Sequence, residues 1–285
     1  MKWTRGTKND DVIDARGKKV SGAKVAGGGV AAALVVFVVA RLFGVDISGL
    51  VGSSGGGGGG TPGGQQTQHE NAPPTGPDPD AELVDFVKFV MKDIQDTFDG
   101  MFKARGETYP RAKLVVFTQA VDTACGRSSS AIGPFYCPGD AHAYIDLSFY
   151  KDLKSRFGAP GDFAQAYVLA HEIGHHLQNV MRVEEKQGGN RRSNEFSVRV
   201  ELQADCFAGV WGHHAKTKNL LDVEDLDEAI TAAQAIGDDR LQKQAGVEVN
   251  PESFTHGTSA QRAKWFRVGF TTGRLEACDT YTVEP

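Results

Sequence analysis

Residues 46–80 set the strongest limit on what this chain can fold into. They contain the run GSSGGGGGGTPGGQQTQHENAPPTGPDPD. Gly, Ser, Pro and Gln with almost no apolar side chains cannot bury enough surface to offset the entropy of ordering, so a flexible tether is expected. His69 and Glu70 fall inside it and are given no role. A folded unit is therefore expected over residues 81–285, about 205 residues, enough for one sizeable core.

What precedes the tether is different in kind. Residues 1–24 carry seven Lys/Arg and three Asp, a charge of +4, which leaves −9 for the rest of a chain whose net charge is −5. An acidic body argues against nucleic acid, which demands a basic surface, so no nucleic-acid partner is expected. Residues 25–40, VAGGGVAAALVVFVVA, are uncharged, and LFGV beyond Arg41 extends the apolar stretch to residue 45. A span needs about 20 apolar residues, and Arg41 can snorkel to the interface. These features are read as a transmembrane anchor over 25–45 behind a basic cytoplasmic tail at 1–24. The chain is then a single-pass cell-membrane protein, its N-terminus cytoplasmic and its domain periplasmic or extracellular. A cleaved signal peptide is the rival reading, opposed by the long, partly acidic start.

Four cysteines, with no C-x-x-C among them, agree with export to an oxidising compartment. Cys125 and Cys137 flank a loop-like stretch and are expected to pair locally, which leaves Cys206 with Cys278; buried free thiols are the alternative. Within the domain, AELVDFVKFVMKDIQDTFDGMF has a helical period and AKLVVFTQ reads as a strand. GPFYCPGDAHAYIDLSFY reads as a second strand region, in which Ala143, Ile145 and Leu147 alternate with Tyr144 and Asp146. An apolar helix is expected from about 163 to 180 with Asp162 as its N-cap, then a polar loop, then a helix over EFSVRVELQADCFAGVWGHHA. A small sheet packed with helices makes an α+β domain, mostly helical.

The first of those two helices carries LAHEIGHHLQN, with His171, Glu172 and His175 in the pattern H-E-x-x-H. Residues four apart share a helix face, so His171 and His175 can present two imidazoles to one Zn²⁺. Glu172 is rotated by about 100° and stands beside the ion as a general base for an activated water. The remaining positions are apolar, and burying three polar groups among them is costly unless something satisfies them; core histidines bonded to carbonyls are the bland alternative. Gly174 costs a helix up to about 1 kcal/mol against Ala, which close approach of another backbone would explain. A third ligand is needed. Gln178 and Met181 exclude a histidine in the same run, and Glu201 in VELQADCFAG is favoured. Asp205, four residues on, can accept the outer N–H of a ligand histidine and fix its orientation. Glu195, His213 and His214 are rival ligands.

H-E-x-x-H followed by E-x-x-x-D on a later helix resembles the gluzincin metallopeptidases. HEIGHHLQN, SVRVELQADCFAGVW, GPFYCPGDAHAYIDLSFY and FTHGTSAQRAKWF together resemble the bacterial putative neutral zinc metallopeptidase family, nearly end to end. The resemblance implies a zincin-like domain that binds Zn²⁺ and hydrolyses peptide bonds in a peptide or protein substrate of the cell envelope. It also implies that the strand before the metal helix is an edge on which an extended substrate pairs. In THGTSAQR, it implies that His256 donates to the oxyanion and that Arg262 orients that loop or a carboxylate. Gly257 stands where the pattern has proline, and a surface histidine with a structural arginine is the alternative. The other functional class to weigh is a zinc-binding envelope scaffold without peptidase activity, which would have no use for Glu172.

Overall fold

The computed structural model of the chain describes residues 1–17, 77–187 and 190–283. Its elements are β1 (Val12–Asp14), α1 (Ala81–Ala104), β2 (Lys113–Phe117), β3 (Ala120–Thr123), β4 (Gly126–Ser129), β5 (Phe135–Cys137) and β6 (His142–Asp146). They are followed by α2 (Phe149–Ser155), α3 (Asp162–Val180), the single turn α4 (Val183–Lys186), α5 (Asn194–Thr217), α6 (Asp225–Ala235), α7 (Asp238–Gln244) and α8 (Ser259–Thr272). The domain is mostly helical with a small mixed sheet of order β1-β2-β6-β5, beside a separate β3-β4 hairpin. β2 runs parallel to β1 and β6, and β5 is antiparallel to β6, leaving β5 at one edge.

Local chemistry explains the element ends. Ser193 caps α5 by accepting from the Phe196 N–H at 3.2 Å, and Thr258 and Gln261 cap α8 reciprocally. α8 stops at Gly273, whose φ of 64° suits a residue without Cβ. Helix α3, which carries the H-E-x-x-H pattern, starts differently from the sequence expectation. Gly161, at φ 125°, takes the N-cap position and Asp162 is the first helical residue, its carboxylate turned to the amino group of Met1.

The core is one large apolar cluster in which α1 lays down Phe86, Val87, Val90, Ile94 and Phe98 at helical spacing. α3, α5, α6 and α8 pack against one another behind it. The alternation expected along β6 does not separate core from solvent. Ala143 and Ile145 enter the main cluster, while Tyr144 enters a smaller one with Val115, Phe117 and Cys137, so both faces are covered. The strand ends at Asp146, and residues expected to continue it form α2. Both expected disulfides are present: Cys125–Cys137 ties the β3-β4 hairpin to β5, and Cys206–Cys278 ties α5 to the C-terminal segment.

The N-terminus departs most from expectation. Residues 1–17, read from sequence as part of a tail apart from the domain, lie on it, with β1 completing the sheet beside β2. The signal was missed because three residues are too few for periodicity to show. Residues 18–24 of the expected tail, the anchor assigned to 25–45 and all but 77–80 of the tether assigned to 46–80 lie outside the described residues. Among the described residues, no helix is long and apolar enough to cross a membrane.

Candidate metal centre

α3 and α5 are brought together by glycine. A Cβ on Gly174 would stand 2.8 Å from the carbonyl oxygen and 2.9 Å from the Cα of Ala204, so the two backbones nearly touch there, as the sequence implied. This contact sets the register that carries His171 and His175 on α3 towards Glu201 on α5. The Nε2 of His171 lies 3.2 Å from Glu201 Oε2, and the Nε2 of His175 lies 3.5 Å from Glu201 Oε1. One donor atom from each residue lies within 4.8 Å of the others. Tetrahedral ligands at about 2.0–2.1 Å from zinc stand roughly 3.3 Å apart, so the three side chains fit such an ion.

The outer nitrogens agree with that fit. His171 Nδ1 is 2.9 Å from Asp205 Oδ1, and His175 Nδ1 is 2.9 Å from Gln178 Oε1, which leaves both Nε2 atoms turned inwards. Gln178 is held in turn, donating to the Val200 carbonyl at 2.7 Å and to Gln203 Oε1 at 3.1 Å. Asp205 is fully buried and accepts from Arg262 twice, Nε at 2.8 Å and Nη2 at 2.9 Å, and from the Tyr167 hydroxyl. Arg262 therefore orients a carboxylate, one of its two expected roles.

Charge in the site is poised for a cation. Burial would raise the Glu201 carboxyl, but His175 and His171 beside it hold it well below the usual carboxylate range. Burial opposes charging of His171, yet its bonds to Asp205 and Glu201 carry its pKa up to about 10. Glu172 is buried at 7% exposure, and burial pushes its pKa up against the pull of His171 and His175. A carboxyl moved towards neutrality suits proton transfer near pH 7.

His256 lies in the loop that precedes α8. A Cβ on Gly257 would meet Val198 at 3.2 Å and Leu202 at 3.3 Å, so its loop rests on α5 on either side of Glu201. His256 and Glu201 are close enough to shift each other's pKa. Burial lowers that of His256, but Asp238 and Glu201 raise it overall. Asp238, the first residue of α7, faces His256 Nδ1 at 3.1 Å and accepts from the backbone N–H groups of Thr255 (2.7 Å), His256 (2.6 Å) and Gly257 (3.1 Å).

The rivals fall elsewhere. His213 and His214 bond the carbonyls of Phe270 and Gly273, and Glu195 pairs with Arg199. Tyr136 is tied to His176 at 3.0 Å and Asn179 at 2.9 Å, which fastens β5 to α3. Sequence reasoning missed Tyr167 and Gln178, whose offsets of four and three residues from the ligand histidines are a readable helical signal. It also missed Asp238, for which no local signal exists.

Two helices thus offer a His-His-Glu cluster that can hold one metal ion, with a buried glutamate beside it and the outer histidine nitrogens engaged. The chain belongs to the putative neutral zinc metallopeptidase family, whose model matches residues 1–281. It is 43% identical over 296 residues to uncharacterized protein YpfJ of Escherichia coli K12, covering 99% of each chain. It is also 43% identical over 199 residues to uncharacterized protein Rv2575 of Mycobacterium tuberculosis H37Rv, covering 66% of this chain and 68% of that one. No solved structure matches.

Proposed function

We propose that this protein is a zinc-dependent metallopeptidase with a zincin-like catalytic domain, in which His171, His175 and Glu201 hold the ion. The observation that carries the reading is the inward convergence of both Nε2 atoms on Glu201 while each Nδ1 is engaged from outside. Zinc in such a site supplies Lewis acidity, polarising a carbonyl and acidifying a water. Glu172 takes the water proton and delivers it to the leaving amine. His256, its Nδ1 held by Asp238, offers Nε2 to the developing oxyanion. β5, at the sheet edge and packed against α3, offers backbone groups to an extended peptide. Two disulfides favour an oxidising compartment, and so a peptide or protein of the cell envelope as substrate.

The test uses the full chain, purified without chelator, beside Glu172→Gln. One zinc per chain in both, with casein hydrolysis in the wild type and a loss of at least about 10²-fold in the variant, is expected. Zinc in both with hydrolysis in neither would replace the peptidase with a zinc-binding envelope scaffold. No bound zinc in either would overturn the metal centre itself.

A further inference from the structure

Residues 1–17 touch the domain along their whole length. The amino group of Met1 is partly buried, pairs with Asp162 and lies 3.0 Å from Asp225. Those carboxylates are the first residues of α3 and α6, and Glu228 and Asp222 also act on the amino group. Burial alone would lower its pKa, but Asp162 and Asp225 hold it above its ordinary value, so it stays an ammonium ion at neutral pH. The Trp3 ring meets Phe86 of α1 edge-on at 5.5 Å. β1 then pairs with β2 over three residues, and the Ala15 N–H donates to the Val116 carbonyl at 2.8 Å.

The end of the segment is fixed as firmly as its start. Arg16 forks onto Asp78, Nη1 to Oδ1 at 3.2 Å and Nη2 to Oδ2 at 2.6 Å, and reaches Asp80 at 3.5 Å. Gly17 and Pro77, which bound residues 18–76, therefore lie on one side of the domain beside the same arginine. Three of the seven basic residues in 1–24 pair with the acidic body: Lys2 with Asp222, Arg5 with Glu82 and Arg16 with Asp78.

Hydrogen-bonded strands cannot stand on opposite sides of a hydrocarbon layer about 30 Å thick. A chain that departs and returns on one face crosses a membrane an even number of times. The apolar stretch at 25–45 has residues for one crossing at most. We propose that residues 1–17 are an integral part of the metal-binding domain, so that the N-terminus and the His171–His175–Glu201 cluster share one compartment with no net membrane crossing between Gly17 and Pro77. This replaces the single-pass topology expected from hydropathy and charge alone. The two disulfides make that shared compartment an oxidising one.

The test is made on the full chain in bacterial cells. Lys8→Cys and Glu248→Cys, both at exposed positions, are expressed separately and checked by mass for both native disulfides. Spheroplasts are then treated with a membrane-impermeant maleimide, with lysed cells as the reference for full labelling. Equal access at the two positions is expected; labelling of Glu248→Cys with protection of Lys8→Cys until lysis overturns the proposal. A second measurement needs no substitution. In the purified wild-type chain, the Ala15 amide should exchange at least about 10²-fold more slowly than in an unfolded peptide. Exchange at the unfolded rate would show that β1 is not docked and overturn the proposal equally.

Discussion

Replacing Gly174 by alanine sets two effects against each other within the metal-binding motif. Alanine favours an exposed helix by about 1 kcal/mol over glycine, and on that ground alone the substitution should stabilise α3. The new methyl group would stand 2.8 Å from the Ala204 carbonyl oxygen and 2.9 Å from its Cα, where ordinary contact begins near 3.4 Å. Both atoms are backbone of α5, so no side chain can rotate away, and the helices must part by about 0.5 Å. Overpacking of this kind costs about 1–3 kcal/mol, and the rigid neighbour places it in the upper half, for a net loss of about 1–2 kcal/mol. In a domain of this size that lowers the melting temperature by about 2–8 °C. The same shift moves Glu201 away from both histidines by more than the roughly 0.2 Å a good ligand set tolerates, so zinc affinity should fall about tenfold or more. Thermal unfolding with and without zinc, together with competition against a chromophoric chelator, reads both quantities. A variant that melts at or above wild type and binds zinc equally well would refute the close-approach reasoning.

Three further substitutions probe the surroundings of the centre. Asp205→Asn leaves one acceptor oxygen where His171, Tyr167 and Arg262 share two, and strips the buried Arg262 of its counter-charge; zinc affinity should fall about 10–100-fold and stability by about 3–5 kcal/mol, read by chelator competition and denaturant titration. His256→Ala should keep one zinc per chain while peptide hydrolysis loses about 10²–10³ in kcat, and an unchanged kcat would remove His256 from the reaction. Cys206→Ser with Cys278→Ser opens a link between positions 72 residues apart, for an expected loss of about 2–5 kcal/mol in chemical denaturation, with the zinc stoichiometry of the folded fraction unchanged.

Legibility in the sequence followed the range of the interaction that fixes each residue. His171, Glu172 and His175 lie within one helical turn, and Glu201 and Asp205 within another, so their chemistry shows as spacing. Gly174 could be read because a glycine inside an apolar helix has few reasons to be there. Even the disulfides followed from a short loop and an even count. Apart from Tyr167 and Gln178, what stayed hidden is held by partners distant in the chain and close in space. Asp238 reaches the 255–257 backbone from the start of α7, where an acidic residue is unremarkable as a favourable neighbour of the helix dipole. Residues 1–17 were hidden for a further reason. Their lysines and arginines have one appearance in sequence whether they face a membrane or pair with carboxylates of the domain.

The Asp205 carboxylate is reached from two helices, by Tyr167 and His171 on α3 and by Arg262 on α8. This has a consequence for the order in which a newly made chain matures. The H-E-x-x-H helix leaves the ribosome about 90 residues before Arg262 does, and domains fold as their parts emerge. Until α8 arrives, Asp205 lacks its fixed counter-ion. Metal capture is therefore expected only once the last long helix seats and Cys278 comes within reach of Cys206.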